Sequence, residues 1–181
     1  RDLDPRDHWD RLALQRVVSA GTDNTIYRLG QVMAVRLPRI DYAERQIDKE
    51  YAWLPKLGKL PLAIPRPLAR GKAGEGFPWR WAVHGWIAGS TAVPERLHDT
   101  LETARLLAQF VRALQACDAS GGPAAGEATR GRGLPLAARD GRVRESIDAL
   151  GDEYDVRVLH AAWDAALAVR VFAGKPVWIH A

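Results

Sequence analysis

The sequence predicts an α+β chain: a five-stranded antiparallel sheet with one helix inserted after its third strand, followed by helices. Two observations carry this. Residues 12–37 hold short strand-like runs separated by tight polar turns, the pattern of a meander. In residues 99–116, by contrast, Leu101, Ala104, Leu107, Ala108, Val111 and Leu114 recur at helical spacing.

The elements come in order. Residues 12–20 read as the first strand and end in the polar turn Gly21-Thr22-Asp23-Asn24. Residues 25–29 form the second strand. Gly30-Gln31 turns the chain into a third, 32–37, which Pro38 stops. A helix is expected over 41–54, opened by a capping box of Asp41 and Glu44 and ended by Pro55. Pro61, Pro65 and Pro67 stiffen the connector to a short strand, 68–70. A glycine-rich hairpin at 72–78 then leads into the fifth strand, 80–87. The linker 89–94 divides an expected first lobe, 1–90, from a second, 91–181. Asp99 and Glu102 form a second capping box, opening the helix that runs to Ala116. Residues 118–135, rich in Gly, Ala and Pro, read as an exposed loop. Two more helices are expected at 139–150 and 155–170, and a last strand at 177–179.

Composition narrows the function classes. The chain is 47% hydrophobic and 27% charged, an ordinary globular balance. One cysteine, Cys117, excludes an internal disulfide and fits a reducing compartment, so a cytoplasmic location is expected. No apolar run reaches membrane-spanning length, so no membrane partner is expected. The net charge is +4, but the basic residues are interleaved with acids and form no stripe, which argues against a nucleic-acid partner. Residues 1–96 carry a balance of +5 and residues 97–181 one of −1. A basic first half suits an anionic ligand such as a nucleotide, and equally suits plain solubility.

The candidate site begins with a conflict in the pattern. The expected helix at 41–54 aligns Ala43, Ile47 and Leu54 on one stripe, and Glu50 falls among them. A carboxylate on a core-facing stripe is costly unless paired. The third strand alternates Val32, Ala34 and Arg36 onto one face, which supplies a cation. A buried Arg36–Glu50 ion pair is therefore expected. The alternative is that Arg36 snorkels at the strand end and Glu50 sits at the edge of the lobe.

Several short stretches resemble a known family. Met33-Ala34-Val35-Arg36 resembles the Val-Ala-Ile-Lys of kinase third strands, and Glu50 stands where the partner glutamate of the next helix is found. The cation here is Arg, a fixed planar fork rather than a mobile point charge. Ser19-Ala20-Gly21-Thr22-Asp23-Asn24 lacks the G-x-G-x-x-G of protein kinases. With Tyr27 after it, this loop resembles the nucleotide loop of aminoglycoside phosphotransferases, and an ordinary hairpin turn is the alternative. Trp81-Ala82-Val83-His84-Gly85-Trp86-Ile87-Ala88-Gly89 resembles the hinge between kinase lobes, or else a buried edge strand with a glycine bulge. Trp178-Ile179-His180-Ala181 resembles the run-in to the catalytic loop, with the loop aspartate expected to come next.

Together these stretches resemble the aminoglycoside phosphotransferase family of small-molecule kinases, from about residue 16 to residue 181. The resemblance implies a protein-kinase-like two-lobe fold, incomplete in this chain. It implies an ATP- or GTP-dependent phosphotransferase acting on a hydroxyl of a small molecule, an aminoglycoside or a similar antibiotic or metabolite. Ser19, Gly21, Thr22, Ala34, Arg36, Glu50, His84, Gly85 and Ile87 are the expected nucleotide-binding residues, with adenine beside Ala34, Val83, His84, Gly85 and Ile87. Mg2+ is expected, its ligands lying beyond residue 181, and no metal ligand is assigned within the chain. No catalytic residue is assigned either, and residues 1–181 alone are expected to be inactive. His180 is read as structural. Glu145, Asp148, Asp152, Glu153 and Asp155 surround one helical turn and are candidates to face a cationic substrate, or else a solvated surface. The rival class is a non-catalytic nucleotide-binding or interaction module. An Asp directly after Ala181, with an Asn five residues beyond it, would distinguish the enzyme from that module.

Overall fold

The computed structural model describes residues 8–18, 21–97, 99–126 and 129–179. The five expected strands are present: β1 (Leu14–Arg16), β2 (Asn24–Leu29), β3 (Met33–Pro38), β4 (Pro67–Gly71) and β5 (Trp81–Gly85). They form one sheet in the order β1-β2-β3-β5-β4, and every neighbouring pair is antiparallel. Helix α1 (Asp41–Trp53) comes directly after β3, as expected. Among the described residues three more α-helices come after the sheet: α2 (Thr100–Ala116), α3 (Asp140–Asp148) and α4 (Val156–Leu167).

Side chains alternate across a strand, so each strand feeds both faces of the sheet. One face gathers Leu29, Met33, Val35 and Val83 into a buried cluster, with Tyr27, Leu37, Leu68, Ala69, Trp81 and Trp9 packed around it. The other face carries Ala34 and Arg36 of β3 opposite His84 and Ala82 of β5. Helix α1 lies against β3, β4 and β5. It buries Ala43 and Ile47 to 1% exposure. Burying a residue such as Ile47 contributes about 1.5–3 kcal/mol.

Local expectations differ from the structure at several points. The 12–20 strand is only Leu14–Arg16, with Val17 N–H still donating to the Ile26 carbonyl; Ala20 lies outside the described residues. Val32 sits in the β2–β3 turn, exposed, rather than in β3. Helix α1 stops at Trp53 and tightens into a 3-10 turn, Leu54–Leu57, because Pro55 has no N–H to continue the ladder. Its N-cap is Ile40 and makes no side-chain cap, so the Asp41–Glu44 capping box does not form. Of the second box the cap itself is present: Asp99 caps α2 and accepts from the Glu102 N–H at 2.8 Å. The expected 139–150 helix begins as a 3-10 turn at Leu136–Arg139 before α3. Asp155 caps α4 from outside it, accepting from the Arg157 N–H. Residues 177–179 form no strand, because no described segment pairs with them. Part of the 118–135 loop is folded inward around Thr129, which is buried and bonded within the turn to Gly126 and Arg132.

The chain divides into two compact units, Arg1–Gly122 and Pro123–Ala181. The first holds the sheet, α1 and α2; the second holds α3 and α4. This division by packing falls later than the boundary at 90/91 expected from the linker.

Candidate functional site

The site is assembled on the α1-facing side of the sheet. Register sets Ala34 opposite His84 and Arg36 opposite Ala82. Small residues thus alternate with the larger Arg36 and His84 on this face, and Ala82 is buried. Along β3 the order runs from the turn beside Gly85, past Ala34 and Arg36, to Pro38. Just beyond Pro38, Arg39 N–H donates to the Asp23 carbonyl at 2.9 Å, tying the Gly21-Thr22 loop to that end.

Arg36 Nη1 donates to Glu50 Oε2 at 2.5 Å, with the two side chains 19% and 22% exposed. The ion pair expected from the pattern is therefore present, and the snorkelling alternative is not. The cause is a helix that turns one acid onto its sheet-facing stripe and a strand that turns one base to meet it. Arg36 Nε is buried and bonds nothing among the described residues, so one N–H of the fork is left for an acceptor. His84 Nε2 lies 3.7 Å from the same Glu50 oxygen. Burial pushes the His84 imidazole below its usual range; Glu50 pulls it up and Arg36 opposes that. Lys49 is likewise pushed down by burial, raised by Glu50 and lowered by Arg36. The result is a half-buried charge cluster in which His84 is held neutral beside a carboxylate already shared with Arg36.

The hinge-like run continues from β5. Gly85 N–H donates to the Arg66 carbonyl, and Trp86 N–H to the Val32 carbonyl. Ile87 is exposed at the end of this run, and its N–H makes no bond among the described residues. Arg28 stacks over Trp86, 5.1 Å from the ring centre. Val83, expected beside the base, is instead fully buried in the cluster on the opposite face, as the period-2 alternation from His84 requires.

The remaining predicted residues are not all gathered. Gly21 and Thr22 lie in the β1–β2 loop, where the Thr22 hydroxyl donates to Asp23 Oδ1 at 3.0 Å. Ser19 and His180 lie outside the described residues. In the second unit, Asp148 is taken up by His160 at 2.7 Å, and Asp155 by its cap on α4. Glu145, Asp152 and Glu153 are exposed. Among the described residues no group of three or more His, Cys, Asp or Glu is placed to hold a metal ion. No helix among them is long and apolar enough to cross a membrane.

Sequence reasoning missed a second ionic system on α1. Arg80, just before β5, donates its backbone N–H and its Nε to Glu44 Oε1, at 3.1 and 3.0 Å, and pairs through Nη1 with Asp48. Arg70 of β4 donates to the other Asp48 oxygen at 2.7 Å and lies over the Tyr51 ring. The Arg80 N–H, then its side chain, hold the Glu44 carboxyl below its usual range against a smaller opposing effect of burial. For Asp48 burial acts upward, and the bonds from Arg70 and Arg80 outweigh it. A signal was present: acids at i and i+4 repel one another on a helix unless a cation stands between them.

The sequence profile of the phosphotransferase enzyme family matches residues 15–181. No curated protein sequence matches this chain. Among solved structures, the GDP and kanamycin complex of APH(2")-IIia is similar at 18% identity and a TM-score of 0.59, over 87% of this chain and 54% of that one. The GDP complex of a mutant aminoglycoside 2'-phosphotransferase-IIIa is similar at 16% identity and a TM-score of 0.60, over 91% and 55%. The streptomycin-ATP ternary complex of APH(2")-IIa is similar at 18% identity and a TM-score of 0.50, over 83% and 50%. The chain thus spans about half the length of these structures and shares their kinase-like fold. A strand cation held by a helix glutamate, and a family profile running through all of these elements, lead to one assignment: this chain belongs to the phosphotransferase enzyme family.

Proposed function

We propose that the whole protein is an ATP- or GTP-dependent phosphotransferase acting on a hydroxyl of a small molecule, and that the first unit of this chain binds the nucleotide. The observation that carries this is the Arg36–Glu50 pair, set on the Ala34 face of β3 between the hinge-like run and the Gly21-Thr22 loop. Ala34 and Arg36 are two residues apart, about 7 Å along a strand. That spacing fits a base lodged at the Gly85 and Ile87 end with its phosphates reaching Arg36.

In this reading Glu50 holds the guanidinium in place, and the buried, unbonded Nε of Arg36 suits a phosphate oxygen. Ala34 keeps the base end of the face open. The Gly85 carbonyl and the Ile87 N–H, together one acceptor and one donor, meet the edge of the base. His84 packs behind it with its ring turned to Glu50. The Gly21-Thr22 loop, with Ser19, covers the phosphates through backbone N–H groups. The bound nucleotide supplies the phosphoryl group, and an accompanying Mg2+ neutralises its charge.

One solved structure similar to this chain is a kanamycin complex and another is of an aminoglycoside 2'-phosphotransferase, which makes an aminoglycoside the first acceptor to test. The exposed acids Glu145, Asp152 and Glu153 remain candidates to meet a cationic acceptor, and antibiotic resistance is the corresponding biological role. A cytoplasmic site of action is the one that a single cysteine, suited to a reducing compartment, supports.

The test uses the full-length protein. ADP and GDP should each raise the melting temperature, and one of them more than the other. Ala34→Trp should abolish that shift while leaving the ligand-free melting temperature within a few degrees. Phosphate transfer from labelled ATP and GTP to a panel of aminoglycosides then tests the reaction. Undiminished nucleotide stabilisation in Ala34→Trp would sink the assigned pocket. Binding without transfer to any acceptor would favour the non-catalytic module.

A further inference from the structure

Arg80 lies outside the nucleotide face, yet its bonds bear on the geometry of that face. Helix α1 has no side-chain cap at its start, and its fully buried apolar contacts are two small-to-medium residues, Ala43 and Ile47. A contact that narrow resists separation from the sheet better than it resists sliding or rolling along it. At about 100° per residue, Glu50 stands on one side of the Ala43–Ile47 stripe and Glu44 and Asp48 on the other. The two sides are fixed by different strands. Glu50 is held from β3 by Arg36. Glu44 and Asp48 are held from the start of β5 by Arg80, which commits three donors to them, one from its own backbone. A backbone donor cannot swing away as a surface side chain can. Arg70 of β4 braces Asp48 from a third strand.

We propose that Arg80 is a positioning residue: it sets the roll and axial position of α1 on β5, and thereby holds Glu50 on Arg36. The tolerance is small. One residue's rise along a helix is about 1.5 Å, whereas a charge-assisted hydrogen bond weakens over a few tenths of an ångström beyond about 3 Å. A slip of a fraction of a turn is enough to release Arg36. Arg80 directly precedes β5, which ends at Gly85, so the anchor and the hinge-like run stand at the two ends of one strand. The consequence for nucleotide binding rests on the function proposed above; the mechanical role does not.

The experiment is a set of nested double-mutant cycles on the full-length protein. The coupling between Arg36 and Glu50 is first measured by urea unfolding of the single and double alanine variants. It is then measured again with Arg80→Ala, and with Arg80→Lys, which keeps the charge but loses the fork. The expected result is loss of at least half the coupling in Arg80→Ala and partial recovery in Arg80→Lys. Undiminished coupling in Arg80→Ala overturns the proposal whatever the ligand. In parallel, binding of a fluorescent ADP analogue is measured. Arg80→Ala should weaken it about three- to tenfold in the wild-type background and leave it unchanged in Arg36→Ala. An equal loss in both backgrounds marks Arg80 as acting independently of Arg36 and also overturns the proposal. If the Arg36–Glu50 coupling collapses as expected but Arg36→Ala binds the analogue normally, the positioning role stands and the nucleotide reading falls. Arg80 is partly exposed, so neither substitution empties a core position.

Discussion

His84 sets the residue-scale behaviour of this site, because it is a titratable ring buried beside a shared carboxylate. Its side chain is 8% exposed, 3.7 Å from Glu50. Burial, the largest influence, lowers its proton affinity; Glu50 raises it and Arg36 lowers it again. The folded state therefore binds a proton less readily than the unfolded chain, whose histidine titrates near 6.5. The unfolded state gains protons first as pH falls, so stability from this group is complete above about 6.5 and declines as pH drops toward the lower folded value. Unfolding free energies of wild type and His84→Gln, measured between pH 7.5 and 5, should diverge in that direction: the wild type should lose more stability on acidification. Parallel curves would show that His84 is not held neutral by its surroundings. Glu44 and Asp48 add a second acid-sensitive step at lower pH, since their folded carboxyls lie below the ordinary range and their stabilisation fades as they protonate.

At the scale of elements, two helices begin with the same sequence pattern and end up differently. Asp99-x-x-Glu102 and Asp41-x-x-Glu44 both satisfy the capping-box rule. On α2 the acid becomes the N-cap, and the Asp99 carboxylate accepts from the Glu102 N–H. On α1 the helix starts one residue earlier relative to the pattern, Asp41 is its first helical residue, and Glu44 faces Arg80 instead. Asp99→Ala should therefore cost about 0.5–2 kcal/mol of stability, the ordinary value of a lost cap. Asp41→Ala should cost a few tenths, the value of an exposed i,i+4 pair with Arg45 and a favourable charge at a helix start. Urea midpoints of the two variants check this, and equal losses would contradict the assigned caps. The 3-10 turn after α1 and the strand bounds shift by a residue or two from the sequence reading for ordinary reasons, fraying and a proline without a donor.

At the scale of the molecule, the chain spans about half the length of the structures it resembles. Leu101 and Leu107 on α2 and Val158 on α4 are well exposed for residues of their type. The proposed reaction depends on positioning an acceptor and neutralising transferred charge, tasks for which no matching motif lies in residues 1–181. A protein comprising those residues alone, checked by intact mass, should transfer no phosphate from ATP or GTP to any aminoglycoside, even where it binds nucleotide. Measurable transfer would place the catalytic groups within this stretch and overturn the reading.

Local pattern was enough to place the five strands, the four α-helices and the Arg36–Glu50 pair. Period-2 alternation put Arg36 on the face of Ala34, and the helical period put Glu50 beside the Ala43–Ile47 stripe. Spacing left two readings open, a pair or a snorkelling arginine, and the resemblance to the strand cation and helix glutamate of kinases favoured the pair that is present. Local capping chemistry likewise announced Asp99. Tertiary structure alone decided whatever depended on partners distant in the chain. Arg80 lies 36 residues from Glu44, and nothing in the spacing of either shows that one will reach the other. The final 177–179 stretch had the composition of a strand, but a strand exists only where another pairs with it. His84 was readable as part of a hinge by resemblance, yet its orientation toward Glu50 comes from the register of β5 against β3, which no local pattern specifies. Short-range periodicity and caps are written into neighbouring residues; register, roll and ion-pair choice are settled only when whole elements pack.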